Sequence, residues 1–173
     1  MLSGERCYLR AIEPSDVDVL YQIENDVDLW KDGAQIQPVT RFSIEGLAAQ
    51  AGMDVFQTHQ LRLMVCDINT DEELGCVDLF DFDPHNMNGG VGIMIRSEYR
   101  EQGYGSEALS VFADYLFSQL HLHSLTASIR RSNEASLNLF HKCGFERVGV
   151  RREWIRTNEG YEDEVIMQLV ATR

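Results

Sequence analysis

A glycine-containing loop between two apolar segments constrains the fold of this chain more than any other feature. Residues 91–95 form a short apolar stretch typical of a strand, and residues 107–119 carry an apolar stripe at helical spacing. Gly103 and Gly105 lie between them, so a helix begins directly after a tight turn. The first N–H groups of a helix have no internal acceptor and lie at the positive end of its dipole. The pattern predicts a site for a phosphate or pyrophosphate, with Arg100 adding positive charge at its entrance.

Other interpretations of this loop fit to different degrees. The two glycines alone are compatible with a plain strand-to-helix turn, because short glycine patterns are weak evidence. Gly103, Gly105 and Ala108 formally match a dinucleotide-binding fingerprint. That fingerprint opens a parallel fold and requires an acidic residue about 20 positions later, whereas residues 121–131 contain none. A nucleotide-binding P-loop is excluded, because no Gly-Lys-Ser/Thr follows the glycines.

The predicted elements describe a sheet covered by helices. Strands are expected at residues 7–12, 61–67, 74–82, 91–95 and 124–130, followed by a hairpin of residues 145–155 and 161–170. Helices are expected after Pro14, from a cap at Ser43 to Gly52, over residues 107–119, and over residues 132–143 before Gly144. Residues 83–90 are rich in turn formers and are predicted to be a turn. An antiparallel meander followed by alternating strands and helices indicates an α/β (mixed α+β) fold.

Composition limits the compartment and the partners. The 173 residues suit a single domain over the whole chain. Lys and Arg number 15 against 28 Asp and Glu, so the net charge is −13, which argues against nucleic acid or an anionic membrane as a partner. No membrane span or signal peptide is recognisable, so we expect a cytoplasmic protein. The four cysteines lack metal-ligand spacing and are expected to be free thiols.

Two motifs in order connect the chain to a known family. The pattern Arg100-x-x-Gly103-x-Gly105, and the stretch from Asn133 to Phe145, resemble GNAT-superfamily N-acetyltransferases. The start Leu9-Arg10-Ala11 and the final hairpin are also similar, and the branch with spermidine and ribosomal-protein N-terminal acetyltransferases is the most similar one. The resemblance implies a central, mostly antiparallel mixed sheet of about seven strands flanked by about four helices.

The resemblance also implies that acetyl-CoA is the co-substrate and that no metal is required. Pyrophosphate contacts are implied for Arg100 and for the N–H groups of Gln102, Gly103, Tyr104, Gly105 and Ser106. Main-chain groups of Ile93, Met94 and Ile95 would pair with the pantetheine arm, and an N–H near Ile93 or Met94 would polarise the thioester carbonyl. Further cofactor contacts are implied for Asn133, Asn138 and Phe140.

Phe140 departs from the family pattern. Many relatives have a tyrosine at this position, which protonates the departing thiolate, and phenylalanine cannot donate a proton. Water can take that role, and Tyr104, His141 and Tyr161 are candidates among the side chains. Each candidate also has a plainer explanation, as a loop tyrosine, a surface histidine and a strand-pairing tyrosine.

Acidic residues near the predicted cofactor strand are candidates for handling the amine. An alkyl amine titrates near 10, about as lysine does, so it must lose a proton before attack. Asp78 and Asp81 match acidic positions on the third strand of spermidine acetyltransferases, where they could bind ammonium groups or take the proton through water. Glu24, Asp28 and Asp32 could line the outer groove. The alternative is a solvated acidic face.

The acceptor and the class of protein stay open at this point. A polyamine such as spermidine is the first hypothesis, the N-terminal amine of a protein is the second, and a non-catalytic acetyl-CoA-binding module is the third. An acyl-enzyme on Cys143 and a zinc site at His121 and His123 are both disfavoured, since nothing activates the thiol and no third ligand is near in sequence. A homo-oligomer is compatible with this branch of the family.

Overall fold

The computed structural model of the chain describes residues 2–30 and 37–172. Within these residues, eight strands form one sheet in the order β1-β2-β3-β4-β5-β6-β8-β7. The strands are β1 (Leu2–Ser3), β2 (Cys7–Ala11), β3 (Leu61–Asp67), β4 (Glu73–Asp83), β5 (Asn88–Ile95), β6 (Ser124–Arg130), β7 (Glu146–Thr157) and β8 (Gly160–Val170). Every pair is antiparallel except β5 with β6. This confirms the expected mixed sheet, and the two-residue strand β1 adds the eighth strand.

Helices cover both faces of the sheet. They are α1 (Val17–Glu24), α2 (Val27–Trp30), α3 (Arg41–Gln50), α4 (Val55–Thr58), α5 (Tyr104–Ser118) and α6 (Glu134–Lys142), with short 3-10 turns at Pro14–Asp16 and Ser97–Tyr99. No helix in the described part of the chain has the length and apolar character needed to cross a membrane.

The third strand shows how the two faces are built. Successive side chains of a strand point to opposite faces. Leu63 and Val65 therefore pack in the larger core under α5, whereas Met64 and Cys66 pack in the smaller core under α1 and α3. Burial on both faces explains why β3 is a continuous apolar run rather than an alternating one.

Helix boundaries differ from the sequence prediction at three places, each for a local reason. The cap of α3 is Thr40, not Ser43, because the Thr40 hydroxyl accepts from the Ser43 N–H at 3.2 Å. The first helix ends at Glu24, since the Asn25 amide side chain bonds to both the N–H and the C=O of Val39. Helix α5 begins at Tyr104, three residues earlier than predicted, because Gly103 adopts φ 87° and turns the chain directly into the helix.

The β4–β5 connection also corrects the prediction. Residues 88–90 belong to β5 rather than to a turn. A side chain on Gly90 would place its Cβ 2.2 Å from the Phe80 ring, so the ring takes the space that a side chain would need. The strand β4 is irregular opposite this point, and Asp81 has φ 50° where the register shifts.

Strand β7 is the long outer edge of the sheet. Its pairing with β8 is interrupted by register shifts between Arg147 and Gly149 and between Arg151 and Ile155. The exposed residues of this strand include four arginines: Arg147, Arg151, Arg152 and Arg156.

Candidate active site

The two parallel strands part after three residue pairs. Strand β5 pairs with β6 only from Asn88 to Gly90. Beyond Gly90, β5 pairs with β4 alone, and β6 pairs with β8 alone. The gap opens into a cleft of about 1090 Å³ with residues of both strands in its walls: Val91, Gly92, Ile93, Met94, Ser128 and Arg130. Main-chain N–H and C=O groups on the facing edges can bind an extended ligand as if it were another strand.

The glycine loop lies at the far end of the same strand. After Ile95, the chain passes through a 3-10 turn to Gly103, which precedes α5. Among the described residues, the N–H groups of residues 102–106 have no acceptor, as expected at the first turn of a helix. The Arg100 Nε donates to the Ile95 carbonyl at 2.9 Å, which keeps its side chain beside the loop. The predicted pyrophosphate residues therefore lie together, and their contact with acetyl-CoA stays a prediction.

Gly105 is required for packing rather than for its backbone angles. A Cβ at this position would lie 2.8 Å from the Leu139 side chain of α6. The missing side chain lets α5 approach α6 closely beside the loop.

A brace from the start of the chain, which the sequence analysis missed, holds the loop. Arg6 Nη1 donates to the Gln102 carbonyl at 2.6 Å, and Arg6 Nε pairs with Glu107 at 3.2 Å. The N–H groups of Arg6 and Cys7 donate to Glu107 Oε1 at 2.7 and 3.2 Å. Burial of Glu107 acts to raise its pKa, but these donors outweigh burial, so the pKa lies below its usual range. Nothing in the local sequence around Arg6 signals this contact, since about a hundred residues separate the partners.

Tyr104 is engaged in the same region. Its hydroxyl donates to Asp67 Oδ2 at 2.7 Å. This hydrogen bond raises the pKa of Tyr104, which makes the hydroxyl a weaker acid than a free tyrosine. The position of Tyr104 therefore favours a structural role over proton donation.

The α6 residues divide between structural and exposed positions. Asn133 caps α6, with its Oδ1 accepting from the Ser136 N–H at 3.0 Å. Asn138 and His141 are exposed. Phe140 is buried and packs edge-on against Phe145, with ring centroids 4.9 Å apart. For Asn133, Asn138 and Phe140, contact with a cofactor stays a prediction.

Tyr161 does not lie in the cleft wall. It is 66% exposed at the β7–β8 hairpin, where it pairs with Arg156. Arg156 lines the cleft, but Tyr161 does not. Its proposed catalytic role has no support from its position.

Cys143 lies beside the loop but is not activated. Its thiol donates to the Ser106 carbonyl at 3.4 Å and accepts from the Ser110 hydroxyl at 3.7 Å. Burial raises the pKa of Cys143, so the reactive thiolate is disfavoured. Within the described residues, no three His, Cys, Asp or Glu side chains form a metal-binding group, and none gathers around His121 and His123.

Asp78 lies in the cleft wall, in contact with an arginine that the sequence analysis missed. It pairs across the sheet with Arg62 of β3 and Gly92 of β5. Arg62 donates to Asp78 through Nε at 2.5 Å and Nη2 at 3.3 Å, and through Nη1 to Glu24. Burial raises the pKa of Asp78, and the partly compensating attraction of Arg62 does not reverse that direction.

The remaining acidic candidates are not gathered in the same way. Asp81 is exposed at the β4 irregularity and is absent from the cleft wall. Asp28 lies in α2. Asp32 lies outside the described residues.

Comparisons with known proteins agree with this geometry. Residues 6–146 match the family described as acetyltransferase (GNAT) domain. The "Probable N-acetyltransferase YjcK" of Bacillus subtilis (strain 168) is 21% identical over 175 residues, covering 98% of this chain and 97% of that protein.

Solved structures show the same fold. The spermidine N-acetyltransferase from Vibrio cholerae, in complex with CoA and spermine, superposes with a TM-score of 0.87 at 21% identity, covering 96% of each chain. A dodecameric structure of spermidine N-acetyltransferase from the same organism has a TM-score of 0.80 at 21% identity, covering 96% of this chain and 95% of that one. At this identity, the likeness establishes the fold alone.

Proposed function

We infer that this chain is an acetyltransferase, because it belongs to the GNAT acetyltransferase family. Enzymes of this family depend on acetyl-CoA and transfer acetyl groups to amines. We propose that it transfers the acetyl group of acetyl-CoA directly to a primary amine bound in the cleft. The observation that carries this proposal is the parting of β5 and β6 beside a loop with free N–H groups. One end of the gap suits a pyrophosphate, and the other opens into a space large enough for an acceptor.

The chain supplies main-chain groups for most of the reaction. The loop N–H groups and Arg100 would hold the pyrophosphate, and the open edge of residues 93–95 would position the thioester. An N–H of Ile93 or Met94 would stabilise the oxyanion that forms on attack. The C–N bond forms on attack and places the charge on the carbonyl oxygen; the carbonyl then re-forms, the C–S bond breaks, and sulfur leaves as a thiolate.

Two proton transfers accompany these bond changes. Asp78 would take a proton from the ammonium through water before attack, and its raised pKa suits that role. Phe140 cannot protonate the thiolate, so water is the proposed donor, and water regains its proton from the attached nitrogen, which loses its second proton as the amide forms.

The first acceptor candidate is a polyamine. Its support is the carboxylate of Asp78 in the cleft wall, with Glu24 behind Arg62, together with the names of the structural relatives.

The second candidate is the N-terminal amine of a peptide. Its support is the pair of aromatic side chains in the cleft wall, since Phe80 is 41% and Trp154 is 61% exposed. Exposed aromatic surfaces can pack against the side chains of a peptide.

Product analysis by mass spectrometry tests the proposal. The purified protein is incubated with acetyl-CoA and either spermidine or a mixture of N-terminal peptides. Acetylated amine from either reaction supports the enzyme, and its identity selects the acceptor class. Tightly bound acetyl-CoA with no CoA released from any amine would instead favour the non-catalytic module.

We also propose a reducing cytoplasm and self-association as the working context. Cys7, Cys66, Cys76 and Cys143 are all free thiols, as a reducing compartment requires. The dodecameric state of a relative supports self-association. Light scattering after size-exclusion chromatography measures the state, and a monomer at all concentrations would contradict it.

A further inference from the structure

Each carboxylate in the described cleft wall already has a guanidinium partner. Asp78 pairs with Arg62, and Glu164 pairs with Arg151 at 2.7 Å. These are the two acidic residues among those that line the described cleft, whereas Arg62, Arg130 and Arg156 all line it. The wall is therefore not acidic, although the whole chain carries a net charge of −13.

Arg62 is the centre of this compensation. It leaves β3 opposite Asp78 and reaches Glu24 at the end of α1, so one guanidinium joins two carboxylates. The side chains of Glu24, Arg62 and Asp78 are 15%, 22% and 21% exposed. An arginine stays protonated in proteins, so this cation cannot be removed by a change of pH. Arg62 thus already pairs with both carboxylates of this cluster, which an ammonium group of a polyamine would otherwise be free to use.

An acceptor with one ammonium group does not meet this conflict. Its amine can approach Asp78 through water, and the rest of the molecule can lie on the apolar part of the wall, which includes Leu61, Phe80, Trp154 and Ile155. A second ammonium group would have to displace the Arg62 guanidinium from its carboxylates or lie beside this positive charge, and both cost free energy.

We propose that Arg62 is a specificity-determining residue that makes this enzyme select monoamines with an apolar body and reject diamines and polyamines. The inference rests on the proposed acetyl transfer and names its acceptor class, and it favours a monoamine over the polyamine named above as the first candidate.

A pair of amines of equal length tests the inference. Hexylamine and hexamethylenediamine differ by one ammonium group. For the wild-type chain, kcat/KM should favour hexylamine by about tenfold or more, the size expected for one charged hydrogen bond. Arg62→Met should shift that ratio toward the diamine by about the same factor. Equal use of both amines by the wild type, or an unchanged ratio in Arg62→Met, would overturn the inference.

Two further variants separate specificity from folding. Arg41→Met removes an arginine that pairs with Asp18 at 2.5 Å outside the cleft, and it should leave the ratio unchanged. If Arg62→Met does not fold, Arg62→Met with Glu24→Gln leaves one uncompensated carboxylate instead of two and keeps Asp78, and it should lose the discrimination against the diamine.

Calorimetry with CoA present separates this inference from the proposed function. The wild-type chain should bind hexylamine more tightly than the diamine even if neither is acetylated, and Arg62→Met should bind the two amines about equally. If the two proteins show these binding preferences but acetylate neither amine, acetyl transfer is refuted and the role of Arg62 in selecting the amine stands. The same diamine affinity in both proteins would refute the role of Arg62.

Discussion

The two sides of the cleft are built by different means. On the cofactor side, the groups offered to a ligand are main-chain N–H groups of residues 102–106, and side chains such as Arg6 and Glu107 act behind them. On the acceptor side, side chains form the surface itself, and Arg62 balances Asp78 and Glu24.

This difference separates what the fold determines from what individual residues determine. A main-chain site needs only the correct backbone path, so many sequences can form it. The acceptor side depends on which charges face each other, so one substitution can change its preference. Changes on the cofactor side should therefore alter the affinity for acetyl-CoA, and changes on the acceptor side should alter the choice of amine.

The largest effect is expected for Gly103→Val. The positive φ of Gly103 disfavours a branched side chain, and its Cβ would lie 2.5 Å from Arg6 Nη2. Backbone strain of about 1–3 kcal/mol predicts an affinity for acetyl-CoA that is about 5- to 150-fold weaker, measured by calorimetry. Gly149→Val is the control, because a Cβ at Gly149 meets no atom within 4 Å. An unchanged affinity in Gly103→Val would show that the loop path does not matter.

Glu107→Gln should weaken the brace through its charge. We expect a loss of about 1 kcal/mol in the free energy of unfolding at pH 7, limited because Arg6 is half exposed. The lowered pKa of Glu107 means that its contribution is present above its unfolded value of 4.5 and is lost as the pH falls through the folded value.

Urea unfolding at several pH values checks the Glu107 prediction. The difference between wild type and variant should shrink as the pH falls below about 4.5. A constant difference across that range would show that the carboxylate charge is not what stabilises the brace.

Phe140→Tyr tests whether position 140 of α6, which is buried in the core, reaches the reacting thioester. If a hydroxyl at this position reaches the thiolate, kcat should rise by up to about tenfold, less than the 10²-fold or more of a fully positioned acid, because a thiolate leaves readily. The KM for acetyl-CoA should not change. Phe56→Tyr, at a 46% exposed position of α4, is the control. Lower stability with no gain in kcat would show that the Phe140 ring serves only the core.

Cys143→Ser should have the smallest effect. Burial raises the pKa of the thiol, so direct transfer does not use it. We expect kcat/KM within about twofold of wild type, and no acetylated protein in intact-mass spectra during turnover. Acetyl on the wild-type chain that disappears in the variant would replace direct transfer by an acyl-enzyme.

The cofactor side could be predicted from sequence because its signals are local. A strand, a glycine turn and a helix follow one another within residues 91–118, and the structure places them as expected. The helix start was misplaced by three residues, since Gly105 was assigned to the loop and lies inside the first turn of α5.

The acceptor side could not be predicted, because its contacts are distant in sequence. Arg62 lies 16 residues from Asp78 and 38 from Glu24, and only the β3–β4 pairing and the packing of α1 bring them together. The sequence analysis predicts that Asp78 and Asp81 act together. However, β4 is irregular at Asp81, which has φ 50°, and Asp81 lies outside the cleft wall.

The outer strand β7 has a consequence for the behaviour of the protein in concentrated solution. An open sheet edge is a template on which strands of other molecules can add and start aggregates. The two register shifts of β7 interrupt its regular hydrogen-bonding edge, and its four exposed arginines resist close approach of a second such edge. The chain therefore carries its own protection against fibril formation along the side where its sheet would otherwise continue.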